Sequence, residues 1–310
     1  MDKIICIAGP TASGKTSLAV ELAKLYTGEV VSCDSMQIYR RMDIGTAKPT
    51  KDEMQGIVHH MLDVANPDED FSVSRYCEMA GPIVDHILSR GKTAIIAGGT
   101  GLYMDALIKG NDFAPFPATG RREELEALTA REGIEAVMEQ LRAVDPEALD
   151  RSQGNPRRII RAMEVYLETG ETITAHNLKT QAIPPKYRPV WFALEDESRQ
   201  DLYGRIDRRV DIMLEQGLVE EIQNLLASGI PSKCTAMQAI GYKEFIAALD
   251  GQCTIEEAAD EVKKSSRHYA KRQLTWFRRN PNMIWLRRAK GEATREIVEK
   301  ARPFLRDFDK

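Results

Sequence analysis

Residues Gly9 to Thr16 read Gly-Pro-Thr-Ala-Ser-Gly-Lys-Thr, the G-x-x-x-x-G-K-[ST] pattern of a phosphate-binding loop. In such a loop the segment Gly9, Pro10, Thr11, Ala12, Ser13 and Gly14 wraps around phosphate oxygens, and its glycines let the backbone N–H groups of its non-proline residues converge at a helix N-terminus, where the helix dipole favours negative charge. Lys15 would reach the terminal phosphates, and Thr16 would offer its hydroxyl to a magnesium ion. The chemistry is that of a di- or triphosphate.

Such a loop needs a strand before it and a helix after it. Ile4-Ile5-Cys6-Ile7-Ala8 is an apolar run of strand type, and Ser17 to Ala23 follows with helical periodicity. The alternation continues through the first hundred residues, with strands at Glu29–Ser32 and Lys92–Ala97 and a helix from about Ser72 to Arg90 capped by Gly91. This is the pattern of a parallel α/β sheet, whose ligands bind beyond the carboxyl ends of the strands.

Asp34 lies just past the second strand, so it is expected to share a crevice with the phosphate loop and Thr100. A carboxylate there could be a general base, a magnesium ligand or a helix N-cap. Ser35, Gln37 and Tyr39 follow it with polar or aromatic tips. Gly98-Gly99-Thr100-Gly101 ends the third strand with residues small enough to let a ligand approach the backbone; glycine clusters also simply mark turns.

Arg205 and Arg209 are four apart on a helical pattern and share a face, where either could clamp a phosphate or merely be solvated. Lys263 to Arg279 holds seven basic residues and no acid: Lys263, Lys264, Arg267, Lys271, Arg272, Arg278 and Arg279. Lys264, Arg267, Lys271 and Arg278 fall on one face, and Tyr269, Trp276 and Phe277 add aromatics. In a chain of net charge −4 this is a local positive stripe suited to a nucleic-acid backbone. Arg157, Arg158 and Arg161 form a second basic group. His59 and His60 are adjacent, so their side chains diverge and make a poor metal pair; structural or loop roles are expected.

The chain has 310 residues, 43% hydrophobic and 29% charged, which is ordinary globular composition. No run approaches a membrane span, and Met1-Asp2-Lys3 passes directly into the first strand, so no signal peptide is expected. The five cysteines (Cys6, Cys33, Cys77, Cys234, Cys253) are scattered without C-x-x-C spacing and read as reduced thiols in a cytoplasmic protein. Pro115, Pro117 and Gly120 punctuate the chain where composition shifts. Residues 121–170 are helical and charged, Pro184-Pro185 ends that section, and Val190–Leu194 resumes as a strand. Helices follow from Ser198 to Arg279, then a last strand at Met283–Leu286. The expected organisation is a P-loop NTPase-like parallel sheet core (1–111 and 187–310) with a helical insertion domain (112–186).

Together these pieces resemble the tRNA dimethylallyltransferase family. The resemblance is carried by Gly9–Thr16, Asp34-Ser-Met-Gln-Ile-Tyr39, Met42-Asp-Ile-Gly-Thr-Ala-Lys-Pro49, Gly98-Gly-Thr-Gly-Leu-Tyr103, Gln238-Ala-Ile-Gly-Tyr242 and Ala270-Lys-Arg-Gln-Leu-Thr-Trp-Phe277, in the family's order. It is of bacterial type, without the zinc-finger extension of some eukaryotic relatives. The resemblance implies transfer of a dimethylallyl group from dimethylallyl pyrophosphate to N6 of the adenine 3′ of the tRNA anticodon. The loop then holds the pyrophosphate leaving group, with magnesium at Thr16. It further implies Asp34 as base, Thr100 near the bridging oxygen, and Arg209 rather than Arg205 on the pyrophosphate. Asp34, Ser35, Met36, Gln37, Gly101, Glu123, Arg157, Arg158, Arg161, Lys264, Arg267 and Lys271 become expected tRNA contacts. A cytoplasmic monomer with no membrane partner is expected.

Three rivals share parts of this pattern. A small-molecule P-loop kinase has the loop and a strand-end base, but little use for the basic, aromatic helix. An adenylate isopentenyltransferase acting on AMP has no use for stem-gripping arginines. A non-catalytic RNA-binding ATPase lacks support from any Asp-Glu pair at the end of a hydrophobic strand.

Overall fold

The computed structural model describes residues 2–110, 119–182 and 184–308. Pro115 and Pro117, and the junction expected at 111–112, lie outside the described residues. Two compact units emerge, Met1–Ile108 with Lys186–Lys310, and Lys109–Pro185.

In the first unit, β1 (Lys3–Ala8), β2 (Gly28–Ser32), β3 (His59–His60), β4 (Thr93–Gly98), β5 (Arg188–Asp196) and β6 (Ile284–Arg288) form a parallel sheet in the order β3-β2-β4-β1-β5-β6. Its helices are α1 (Lys15–Leu25), α2 (Lys51–Met54), α3 (Val73–Ser89) and α4 (Gly101–Lys109). After the second unit's five helices come α10 (Arg199–Glu215), α11 (Leu218–Ala227), α12 (Lys243–Leu249), α13 (Ile255–Phe277) and α14 (Thr294–Ala301).

The central strands β1 and β4 are apolar nearly throughout because helices cover both sheet faces. Successive side chains alternate in direction. Ile4, Cys6 and Ala8 pack with Tyr76, Val84, Met104, Leu107 and Phe277, from α3, α4 and α13. Ile5 and Ile7 face the other way, onto Leu18 and Leu22 of α1 and Ile297 and Val298 of α14. A third cluster joins Ile38, Tyr39 and Met42 to Leu218, Ile222, Tyr242, Phe245 and Val262 of the later helices.

The helix expected from Ser72 is present, with Ser72 accepting the Arg75 N–H as its N-cap at 3.1 Å. His59 and His60, expected in structural or loop roles, form a short edge strand beside β2. Their side chains do diverge: His60 meets the buried Glu29 at 2.8 Å, and His59 Nδ1 lies 2.9 Å from the Ile57 carbonyl. Two residues carry too little periodicity to announce a strand. The last strand is displaced to Ile284–Arg288, pairing with β5 and carrying a basic end that propensity alone would not extend.

The second unit holds α5 (Arg121–Glu132), α6 (Ile134–Val144), α7 (Pro146–Ser152), α8 (Pro156–Thr169) and α9 (Ile173–Ala182) around Leu125, Val137, Leu141, Ile159 and Met163. Its buried Asp145 caps α7 through the Ala148 N–H and also accepts both the N–H and the hydroxyl of Thr174 on α9. Among the described residues no helix is long and apolar enough to cross a membrane.

Candidate active site

The β1–α1 connection is the phosphate loop. Gly14 caps α1 with φ 87°, a left-handed conformation open to glycine at little cost. A Cβ there would lie 2.8 Å from the Arg288 guanidinium, which donates to the Ser13 carbonyl at 2.9 Å. Lys15 Nζ donates to the Pro10 carbonyl at 2.7 Å, closing the loop on itself. Desolvation pushes the Lys15 ammonium down to about 8, against the pull of Asp34. Thr16 is the second residue of α1, and no described residue bonds its hydroxyl.

Asp34 follows β2, next but one to β1 in the sheet, and Thr100 follows β4, which lies between them. The parallel arrangement therefore brings all three strand ends to one edge. Their closeness depends on Gly98, where a Cβ would sit 1.9 Å from the Cys33 carbonyl. The Cys33 carbonyl in turn accepts the Thr100 N–H at 3.1 Å. Asp34 Oδ1 accepts the N–H groups of Met36 at 2.9 Å and Gln37 at 3.4 Å. The capping reading is thus realised on a turn, not a helix, and through one oxygen; Oδ2 takes no hydrogen bond from the described residues.

Ser35 and Gln37 are engaged within the site. Ser35 donates its N–H to Thr100 Oγ1 at 3.0 Å. Gln37 accepts from the Ser32 hydroxyl at 3.0 Å and donates to the Ala47 carbonyl at 3.1 Å. Ala47 belongs to the Met42–Pro49 segment, whose Asp43, Ile44 and Gly45 N–H groups all converge on the Glu221 carboxylate of α11 at 2.8 to 3.2 Å. Tyr242 also donates to Glu221 at 2.7 Å, so two of the sequence blocks meet at one carboxylate.

Arg205 and Arg209 do share the loop-facing side of α10, with different partners. Arg205 reaches the Ala12 carbonyl at 3.0 Å and is neutralised by Asp196 at 2.5 Å. Arg209 reaches Thr11 Oγ1 at 3.4 Å and the Ala47 carbonyl at 3.5 Å, with no carboxylate in bonding range. Burial lowers its pKa while Asp34 opposes the shift.

α13 presents Tyr269, Gln273 and Trp276 along one face. Burial, followed by the Asp34 charge, pushes the Tyr269 phenol up to about 12, and its hydrogen bond with Thr100 opposes this. Gln273 bonds Thr11 and Gly99. Trp276 donates to Asp105 at 2.9 Å and packs over Gly101, which is buried at the start of α4. Met36 is half-buried beside the Asp34 turn.

The basic stripe is not bare. Lys263 pairs with Asp211, Lys264 with Glu261, Arg267 with Asp207 and Arg278 with Glu195, at 2.5 to 3.0 Å. Three of those acids come from α10 and β5, which helical periodicity in α13 could not reveal. Lys271 is exposed and lines a cavity of about 230 Å³ between β5, α10 and α13. Leu202, Tyr203 and Leu274 of that cavity belong to the apolar cluster that includes Ala12.

In the second unit Arg157, Arg158 and Arg161 are exposed on the first turns of α8, and Arg161 pairs with Glu164 at 2.9 Å. Glu123 is exposed in the first turn of α5.

Sequence reasoning did not single out Gln273, Glu221 or Arg288, and named Tyr269 only as an aromatic of the basic stripe, not as sharing a face with Gln273. Gln273 and Tyr269 carried a usable signal, since residues 269, 273 and 276 have i, i+4, i+7 spacing. Arg288 had none, being a strand residue far along the chain from the loop it touches.

The IPP transferase family model matches residues 37–280. A tRNA dimethylallyltransferase of Acetivibrio thermocellus is 42% identical over 310 residues, covering 99% of each chain. The crystal structure of a Bacillus halodurans tRNA isopentenylpyrophosphate transferase superposes with a TM-score of 0.75 at 41% identity, covering 100% of this chain and 97% of that one. A eukaryotic dimethylallyltransferase acting on tRNA gives a TM-score of 0.84 at 27% identity, over 99% of this chain and 80% of its own. The six-stranded P-loop-like core, the matched segment and this full-length similarity agree: the chain belongs to the IPP transferase family.

Proposed function

We propose that this protein transfers a dimethylallyl group from dimethylallyl pyrophosphate to N6 of the adenine 3′ of a tRNA anticodon, releasing pyrophosphate. The observation that carries the reading is the meeting of the phosphate loop, Asp34 and Thr100 at one edge of the sheet, with Asp34 Oδ2 left open.

The donor's pyrophosphate lies in the loop Gly9–Thr16. As the allylic C–O bond breaks, negative charge grows on the bridging oxygen, and loop N–H groups, Lys15 and Arg209 stabilise it. Arg209 suits this role better than Arg205, whose charge Asp196 already meets. The adenine amine is a weak nucleophile. Asp34 Oδ2 accepts its hydrogen bond and takes the proton as the C–N bond forms. Thr100 holds the Asp34 turn through Ser35 and places its hydroxyl near the bridging oxygen of the donor.

Magnesium fits the donor set in a limited way. No group of three or more His, Cys, Asp or Glu residues able to hold a metal occurs among the described residues. Thr16 would supply one hydroxyl, with the pyrophosphate oxygens and water completing the shell, as magnesium commonly accepts. The ion would add charge neutralisation on the leaving group.

An adenine stacked in an anticodon loop cannot enter a crevice, so it must be turned out. Ser35, Met36 and Gln37 line the turn that would receive it. Arg157, Arg158 and Arg161, with the exposed Lys271 and the paired Lys264 and Arg267, supply charge for the RNA backbone. The protein acts as a cytoplasmic monomer in this reading.

Incubation with labelled dimethylallyl pyrophosphate, magnesium and either unmodified tRNA or AMP tests it. The expected result is label in tRNA that disappears when the adenine beside the anticodon is replaced. Label in AMP alone would overturn the RNA substrate, and no transfer would overturn the reaction.

A further inference from the structure

We propose that Gln273 is a positioning residue for the transfer, tying the donor loop and the acceptor strand end into one rigid frame. The inference rests on the transferase reading above.

Gln273 sits in α13 at 5% exposure and bridges the loops that follow the paired strands β1 and β4. Its Oε1 accepts the Thr11 N–H at 3.0 Å, and its Nε2 donates to the Gly99 carbonyl at 3.0 Å. The partners dictate the amide's orientation, since an N–H can be met only by the oxygen and a carbonyl only by the nitrogen. The approach is tight: a Cβ on residue 99 would lie 2.1 Å from Nε2, so any other residue there would push the amide off its partners.

Both ends of this bridge lead directly to reacting groups. Thr11 lies in the phosphate loop, and its hydroxyl is also touched by Arg209 at 3.4 Å. Gly99 precedes Thr100, whose hydroxyl accepts the Ser35 N–H beside Asp34 at 3.0 Å. One side-chain amide thus sets the separation between the loop that holds the leaving group and the turn that orients the nucleophile. That separation is the distance the allylic carbon must cross. A displacement of about 1 Å in such a geometry costs roughly 100-fold in rate. The bridge also commits the Thr11 N–H to the frame, so the anion-facing amides of the loop lie further along it.

The test compares Gln273→Met and Gln273→Glu with the unaltered enzyme, using labelled dimethylallyl pyrophosphate and unmodified tRNA. Transfer and pyrophosphate release are followed together, with kcat and both KM values. Gln273→Met keeps the length and loses both hydrogen bonds. Its kcat is expected to fall by about 10- to 100-fold with KM values within about three-fold. It should also release more than one pyrophosphate per tRNA labelled. In those extra turnovers water attacks the allylic carbon as the C–O bond breaks, giving the allylic alcohol, pyrophosphate and a proton.

Gln273→Glu keeps the acceptor for Thr11. When ionised it places a second acceptor against the Gly99 carbonyl, and when protonated it can donate there again. Its kcat relative to the unaltered enzyme should therefore recover as pH is lowered, a rescue that a packing role does not produce. A folded Gln273→Met with normal kcat would overturn the proposal. So would losses that track a lowered Tm and raised KM values while Gln273→Glu runs parallel to the unaltered enzyme at every pH. If the unaltered enzyme labels no tRNA, the transferase reading itself fails.

Discussion

The Thr100 hydroxyl accepts the Ser35 backbone N–H at 3.0 Å, stitching the end of β4 to the turn that carries Asp34. The residue expected beside the leaving group therefore also holds the residue expected to act as base. Thr100→Val keeps the shape, strands the Ser35 N–H and removes the hydroxyl. A stability loss of about 1–3 kcal/mol in denaturant unfolding is expected from the unmet donor. A larger effect is expected on kcat, about 10- to 100-fold, because the Asp34 turn loosens. Steady-state kinetics beside the unfolding curve separate the two.

Asp34→Asn distinguishes base from cap. The amide oxygen can still accept the Met36 N–H, so the turn should persist and tRNA affinity should stay within a few-fold. The proton acceptor is gone, and transfer should fall by about 10²- to 10⁴-fold. Single-turnover transfer together with a tRNA binding curve reads this, and near-normal transfer would remove Asp34 from the chemistry.

Lys15 supplies a pH dependence whose sign follows from its lowered pKa of about 8. In the free enzyme its charge is lost as pH rises through that value, whereas pyrophosphate favours the ammonium. Donor affinity should weaken above about pH 8, and binding there should take up a proton. Calorimetry in two buffers of different ionisation enthalpy measures the uptake. Lys15→Arg, which stays charged, should abolish it. The same shift means the folded state binds fewer protons than the unfolded one between about 8 and the ordinary lysine value of 10.5, so this residue's contribution makes stability rise with pH across that window.

Glu221 gathers three backbone N–H groups and the Tyr242 hydroxyl. Glu221→Ala leaves those donors without their acceptor. Destabilisation of about 3 kcal/mol or more is expected, with faster hydrogen exchange at Asp43, Ile44 and Gly45. The Ala47 carbonyl that meets Gln37 and Arg209 lies on the same segment, so kcat should fall as well. Exchange rates unchanged at those amides would show that the segment is held by other contacts.

Replacing Arg157, Arg158 and Arg161 together by Ala should weaken tRNA binding and reduce its dependence on salt. If all three neutralise phosphates, the slope of log K against log salt should become shallower by about 2 to 3. Filter binding across a salt series gives the slope. An unchanged slope would place the RNA contact elsewhere.

Much of this site was legible before any coordinate because its parts are local. A phosphate loop is a strand, eight residues and a helix, all adjacent in sequence. Asp34 and Thr100 were legible for a topological reason: in a parallel sheet every strand ends at the same edge. The basic stripe on α13 illustrates the opposite case. Its spacing was read correctly, yet Asp207, Asp211 and Glu195 neutralise much of it from other elements. Spacing alone left Arg205 and Arg209 equivalent, the resemblance favoured Arg209, and in the structure it is Arg205 whose charge Asp196 meets.

By itself, then, the sequence determined the family's kind of chemistry, the parallel core and the strand-end residues that this core brings together. Those follow from short-range pattern, since periodicity and turn residues act over a few positions. The tertiary structure alone decided which charges remain available and what holds the loops together. The Gln273 amide meets Thr11 across 262 residues and Arg288 meets Ser13 across 275. Contacts at such separations arise only when packed helices and strands bring distant segments within hydrogen-bonding range, where direction and desolvation, not spacing, select the partner.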